Sequence, residues 1–228
     1  MKRLLLISNS ISYGKGYLDH CEDAIMNFLG EIRSLLFIPY ALYDLDNYFS
    51  TVEKRFGKMG IKTSPIHNAD PLEAIKKAKG FFVGGGNTFR LLKKMNDSEL
   101  IKPMRDAVLN GIPYIGISAG INLASPTIKT TNDMPIVFPG SLDALNLISF
   151  QINPHYIDPD PSSTHKGETR EQRIKEFHEE NDTPVIGLYE GSWIRAENDS
   201  ITIEGKKGAK LFRKGEKPIL LKNGPIVL

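Results

Sequence analysis

One cysteine in 228 residues, Cys21, excludes an intramolecular disulfide, and its neighbours offer no spacing for a thiolate metal site. Such scarcity suits a reducing compartment. Excess charge of one sign is missing too. The 29 basic and 27 acidic side chains leave a formal net charge of +2, which gives no general field for nucleic acid or an anionic membrane, so charge recognition must be local. Long apolar runs are absent: Lys2-Arg3 and Leu4 to Ile7 begin like a leader, but the run stops at Ser8-Asn9-Ser10, far short of a signal core or a membrane span. Internal repeats, low-complexity tracts and linkers are also lacking. What remains is an ordinary globular composition, 40% hydrophobic and 25% charged, expected to form one soluble cytoplasmic domain over residues 1–228.

The first half alternates strand and helix. Leu4 to Ile7 reads as a strand buried on both faces, and Leu18, Ala24, Ile25, Phe28 and Leu29 recur at helical spacing. Further strands are expected at Ser34 to Ile38, Ile61 to Ile66, Gly80 to Val83 and Pro113 to Ile117, separated by helices, with Asp70-Pro71 as an N-cap and first-turn proline. That order implies an α/β fold with a mostly parallel sheet and helices on both faces, in which ligands collect at the carboxyl ends of strands. Past Ile128 the pattern loosens. Gln151 to Tyr156 reads as a short strand, one helix begins at Thr169, and the patches after Val185 suggest antiparallel hairpins closing the same domain.

Two glycine-rich turns lie at such strand ends. Gly116-Ile117-Ser118-Ala119-Gly120 has the spacing of a nucleophile elbow, and equally that of a plain glycine-bracketed helix start. A reactive serine needs a base. Of the five histidines, His20 and His178 sit among acidic residues and read as exposed, His67 as a loop residue, and His165 is disfavoured by Lys166. His155, after Ile152-Asn153-Pro154, is the favoured base, and Asp133 and Glu190 are both candidates to orient it. Gly84-Gly85-Gly86-Asn87-Thr88 could complete an oxyanion hole or cradle phosphate. Nucleotide binding is disfavoured, because G-x-G-x-x-G and a P-loop lysine are both missing. Arg170 and Arg173 share a helix face after the capping box Thr169 to Gln172, suited either to a carboxylate clamp or to ion pairs with Glu171 and Glu176.

The ordered segments "LLLISNS", "FFVGGGNTFRLLK", "YIGISAGINLASPTIKTTNDMPIV", "QINPHY", "HKGETREQRI" and "VIGLYEGSWI" resemble the peptidase E (α-aspartyl dipeptidase) family over nearly the whole chain. The resemblance implies a flavodoxin-like, class I glutamine amidotransferase-like three-layer sandwich. It also implies a cytosolic serine peptidase, without metal or cofactor, that removes N-terminal aspartate from dipeptides. It implies Ser118 as nucleophile and His155 as base. Both Asp133 and Glu190 match residues given the third role, Glu190 being preferred because the amidotransferase-like fold uses nucleophile, histidine and glutamate in that order. Gly85 or Gly86 with Ala119 would supply oxyanion N–H groups, and Arg170, with Asn87 and Arg173 nearby, would meet the substrate. Ile121 and Phe138-Pro139-Gly140 depart mildly from the family pattern. A cyanophycinase-like β-aspartyl peptidase and a silent binder of acidic peptides are the alternatives. An amidotransferase would normally carry cysteine in place of Ser118. Small acidic dipeptides are the expected partners, of a monomer or homodimer.

Overall fold

The computed structural model describes residues 1–160, 162, 164 and 167–228. Strand β1 (Arg3–Ile7) explains its own apolar run: Leu4 and Leu6 enter the core on one face of the sheet, Leu5 and Ile7 that on the other. All four are fully buried, each contributing about 1.5–3 kcal/mol relative to exposure. Outward from β1, β5 (Tyr114–Ile117), β4 (Phe81–Val83), β2 (Ser34–Ile38) and β3 (Lys62–Pro65) follow in parallel. On its other side β8 (Ser192–Glu197), β9 (Ser200–Gly205) and β12 (Gly224–Ile226) run antiparallel to their neighbours.

Helices cover both faces. Through Ile25, Phe28, Val52 and Phe56, α1 (Glu22–Leu29) and α2 (Leu45–Lys58) pack on one side. The other side receives α3 (Pro71–Lys77), α4 (Thr88–Asp97), α5 (Ile101–Leu109) and α6 (Ala119–Ala124), through Ile75, Leu91, Met104 and Ile121 among others. Asp44 and Asp70 cap α2 and α3 by accepting the N–H groups of Asn47 and Glu73. The α/β fold with helices on both faces expected from the alternation, and the three-layer sandwich implied by the resemblance, are therefore what the chain forms.

The C-terminal third is divided between two sheets. While β8, β9 and β12 extend the first, a second sheet runs in the order β11 (Ile219–Leu221), β10 (Ala209–Phe212), β7 (Val185–Tyr189) and β6 (Gln151–Tyr156). Its β6 and β7 are parallel and joined through α7 (Arg170–Glu180), and the other pairs are antiparallel. Ile152, Ile186, Leu188 and Leu211 pack into the same core as α3 to α6. The second sheet thus lies over one face of the first, and the chain passes from one to the other at Glu190-Gly191, between β7 and β8.

Candidate active site

Ser118 sits between β5 and α6 with φ 50° and ψ −107°, a backbone conformation that costs on the order of 1–3 kcal/mol for a non-glycine residue. Close packing maintains it. A Cβ at Gly120 would stand 2.5 Å from the Val83 carbonyl oxygen, and one at Gly116 would stand 2.6 Å from the Gly120 oxygen. Only glycine lets strand and helix approach so closely, which is why both bracket the serine. The Tyr114 hydroxyl then closes the elbow by donating to the Gly120 carbonyl at 2.6 Å.

The Ser118 Oγ lies 2.9 Å from His155 Nε2, and His155 Nδ1 lies 2.6 Å from Glu190 Oε1. With Glu190 accepting, Nδ1 carries the proton and Nε2 is left as the acceptor for the serine hydroxyl. His155 itself has φ 54°, at an irregularity in β6 where the register with β7 shifts between Asn153 and Tyr156. Its side chain is 36% exposed and that of Glu190 is 51% exposed, so this half of the site faces solvent.

Asp133, the other carboxylate candidate, lies elsewhere. Its Oδ2 accepts from the Thr88 N–H at 2.8 Å, the Thr88 hydroxyl at 2.6 Å and the Thr131 hydroxyl at 3.0 Å. It therefore fastens the 131–134 loop to the first turn of α4, where a negative charge also complements the helix dipole. The Asn87 carboxamide is engaged on both sides as well, capping α4 by accepting the Arg90 N–H and donating to the Met134 carbonyl.

The glycine turn after β4 abuts the serine: a Cβ at Gly85 would come 3.2 Å from Ser118 Cβ. The buried Tyr48 hydroxyl fills the space beside Gly84 and interacts with the Gly85 backbone. Gly86, at φ 134°, takes a backbone conformation open to glycine, and a Cβ there would stand 2.6 Å from the Ala41 carbonyl oxygen. Across the elbow, Ala119 opens α6, where the first amides have no intrahelical acceptor.

Arg170 and Arg173 line a cavity of about 400 Å³ together with Ile157, Asp158, Asp160 and Glu168. Burial lowers the Arg170 pKa from its ordinary value, neighbouring Arg173 adds to this, and Asp133 opposes it; the side chain remains a cation. Arg173 is paired, its Nε 3.2 Å from Glu168 Oε2. Glu171, expected beside the arginines, instead faces Lys175 and Lys210, and Lys210 also holds Asp158 at 2.7 Å. These contacts tie the first turn of α7 to the second sheet.

The remaining histidines correct two readings. His178 is buried rather than exposed, with Nε2 3.1 Å from the Thr183 carbonyl; it follows Ile174 by one helical turn and shares its inward face. His20 is half-buried rather than solvated, and burial lowers its pKa. His67 bonds Asp46 at 3.0 Å, while His165 and Lys166 lie outside the described residues. Among the described residues, no group of three His, Cys, Asp or Glu side chains is placed to share a metal ion, and no helix is long and apolar enough to cross a membrane.

Comparison with known proteins places the chain in a family. The model of peptidase family S51 matches residues 4–204. A Streptomyces coelicolor protein named Peptidase E is 51% identical over 94% of this chain and 89% of its own length. The Salmonella typhimurium Peptidase E is 47% identical, covering 97% and 98%. A Drosophila melanogaster relative named "Probable alpha-aspartyl dipeptidase" is 43% identical, covering 93% and 90%. Among solved structures, a Listeria monocytogenes protein provisionally designated a peptidase E has the same fold, with TM-score 0.69 and 22% identity over 90% of this chain and 99% of that one. On matches of this extent, the chain belongs to peptidase family S51, a family of serine peptidases.

Proposed function

We propose that this serine-type dipeptidase removes an N-terminal aspartate from α-aspartyl dipeptides, with Ser118 as nucleophile, His155 as general base and Glu190 orienting the imidazole. The observation that carries the reading is the unbroken line from Ser118 Oγ through His155 to Glu190, at 2.9 Å and 2.6 Å. The names of the relatives support the substrate class.

In the first half-reaction the serine hydroxyl attacks the aspartyl carbonyl carbon as His155 Nε2 takes its proton. Glu190 stabilises the imidazolium that forms. The carbonyl oxygen becomes an oxyanion held by the amides of Gly86 and Ala119, with Gly85 engaged by Tyr48. Collapse breaks the C–N bond, and His155 returns its proton to the departing amine. Water, deprotonated by the same imidazole, then attacks the aspartyl ester and releases aspartate, restoring the serine.

Arg170 is the group in this reading that meets the substrate's β-carboxylate, since it is a partly desolvated cation within reach of the Asp133 charge and Arg173 already has Glu168. Asp133 supports the site by fixing the loop opposite, and Asn87 by capping α4. We also place the protein in the cytoplasm, acting as one domain over residues 1–228: the lone thiol of Cys21 is buried and pushed up to about 12, as suits a chain that makes no disulfide. A panel of Asp-Leu, Glu-Leu, β-Asp-Leu and Asn-Leu, each run with and without a chelator, tests the assignment. Preferential cleavage of Asp-Leu that withstands the chelator is expected; preference for β-Asp-Leu would overturn the α-aspartyl reading.

A further inference from the structure

The Ser118–His155 bond crosses between two separate sheets, because the serine follows β5 of the first while the histidine lies on β6 of the second. Something must fix one sheet against the other at that point, since misplacement of reacting groups by about 1 Å can cost ~10²-fold in rate. We infer that Ser8 and Asn9, immediately after β1, are positioning residues that set His155 and Glu190 against Ser118. This rests on the reading of Ser118 and His155 as nucleophile and base.

The hydrogen bonds converge on one short stretch. Ile7 accepts the Ser118 N–H through its carbonyl at 3.1 Å, which joins the elbow to the end of β1. Ser8 is fully buried, and its hydroxyl reaches the other sheet twice: it accepts the His155 N–H at 2.9 Å and donates to the Leu188 carbonyl at 2.8 Å. The His155 N–H needs such a partner, because φ 54° and the register shift turn it out of the β6–β7 ladder. Asn9 is 1% exposed, and its Oδ1 accepts the Gly191 N–H at 2.7 Å. Gly191 stands at φ 81° beside Glu190, so the carboxamide holds the turn that carries the carboxylate. Asn9 is itself fixed by donating to the Ile11 carbonyl at 2.7 Å.

Chemistry at these positions is narrowly constrained. A hydroxyl can accept one bond while donating another, as Ser8 does, whereas alanine would remove both the bond to the His155 N–H and the bond to the Leu188 carbonyl in the interior. The segment that supports them is stiff: β1 is flanked by β5 and β8, and its apolar residues are fully buried. Neither residue hydrogen-bonds the reacting atoms; each acts by holding the backbone that carries His155 or Glu190.

The test is a double-mutant cycle in the full chain with Asp-Leu, measuring kcat, KM and thermal unfolding for Ser8→Ala, His155→Ala and the pair, with Ser118→Ala alongside. Ser8→Ala is expected to lower kcat by about 10²-fold with KM within about threefold, and to have almost no further effect once His155 is alanine. Asn9→Ala should lower kcat by roughly tenfold, an effect that vanishes beside Glu190→Ala. Thr130→Val, which removes a buried bond to the Ile152 carbonyl without touching β1, should leave kcat within about threefold. If Ser8→Ala does not fold, Ser8→Cys, which keeps a weaker donor and acceptor, takes its place in the cycle. Unchanged kcat in the Ser8 variant, or an undiminished effect in the His155→Ala background, would overturn the inference. Full activity in Ser118→Ala would instead overturn the nucleophile assignment on which it rests.

Discussion

The two halves of the site are built differently. Ser118 stands on an elbow locked by glycine contacts within the main core, where Ile117, Ala119 and Gly120 are all buried. His155 and Glu190 stand on an irregular strand and a two-residue turn, partly open to solvent and held by few hydrogen bonds. Packing thus presets the serine, while polar contacts set the histidine. Substitutions on the two sides should therefore fail in different ways.

The largest effect is expected at the preset side. Ser118→Ala removes the attacking oxygen and should lower kcat on Asp-Leu by about 10⁴–10⁶-fold with the fold intact, read by steady-state kinetics and circular dichroism. On the other side Glu190→Gln should cost about 10²–10⁴-fold, since it disturbs the tautomer that leaves Nε2 free, whereas Asp133→Asn should cost roughly tenfold or less. A larger loss at Asp133 than at Glu190 would reverse the assignment of the two carboxylates. Arg170→Ala should lower kcat/KM by about 10–100-fold for Asp-Leu and erase the preference over Asn-Leu, with little change in melting temperature. The smallest effect belongs to Arg173→Ala: its pair with Glu168 is half-exposed, so kcat/KM should stay within about threefold.

The same division explains what could be read from the sequence. Buried strands such as Leu4 to Ile7 announce themselves as unbroken apolar runs, and the capping residues Asp70 and Thr169 lie where the chemistry of N–H groups requires them. The second sheet left no such mark. That β6 and β7 leave the first sheet is decided by which core Ile152 and Leu188 enter, a tertiary matter that periodicity does not encode. Ser118, His155 and Glu190 were each conspicuous beside glycine or proline, but Asp133 was equally so. Only the fold separates a carboxylate facing an imidazole from one facing Thr88. His178 was legible in principle, four residues after Ile174 on the inward face of α7, yet its acidic neighbours obscured it. Ser8 and Asn9 read merely as the end of a hydrophobic segment, because nothing local reveals bonds to residues far along the chain.

Cys21 has one practical consequence. Sealed in the interior with almost no thiolate at neutral pH, it should ignore alkylating dyes, so a cysteine introduced on the outer surface of each sheet would carry the whole label. A fluorophore pair placed that way would act as a ruler for relative sheet displacement during turnover, with no background from native sulfur.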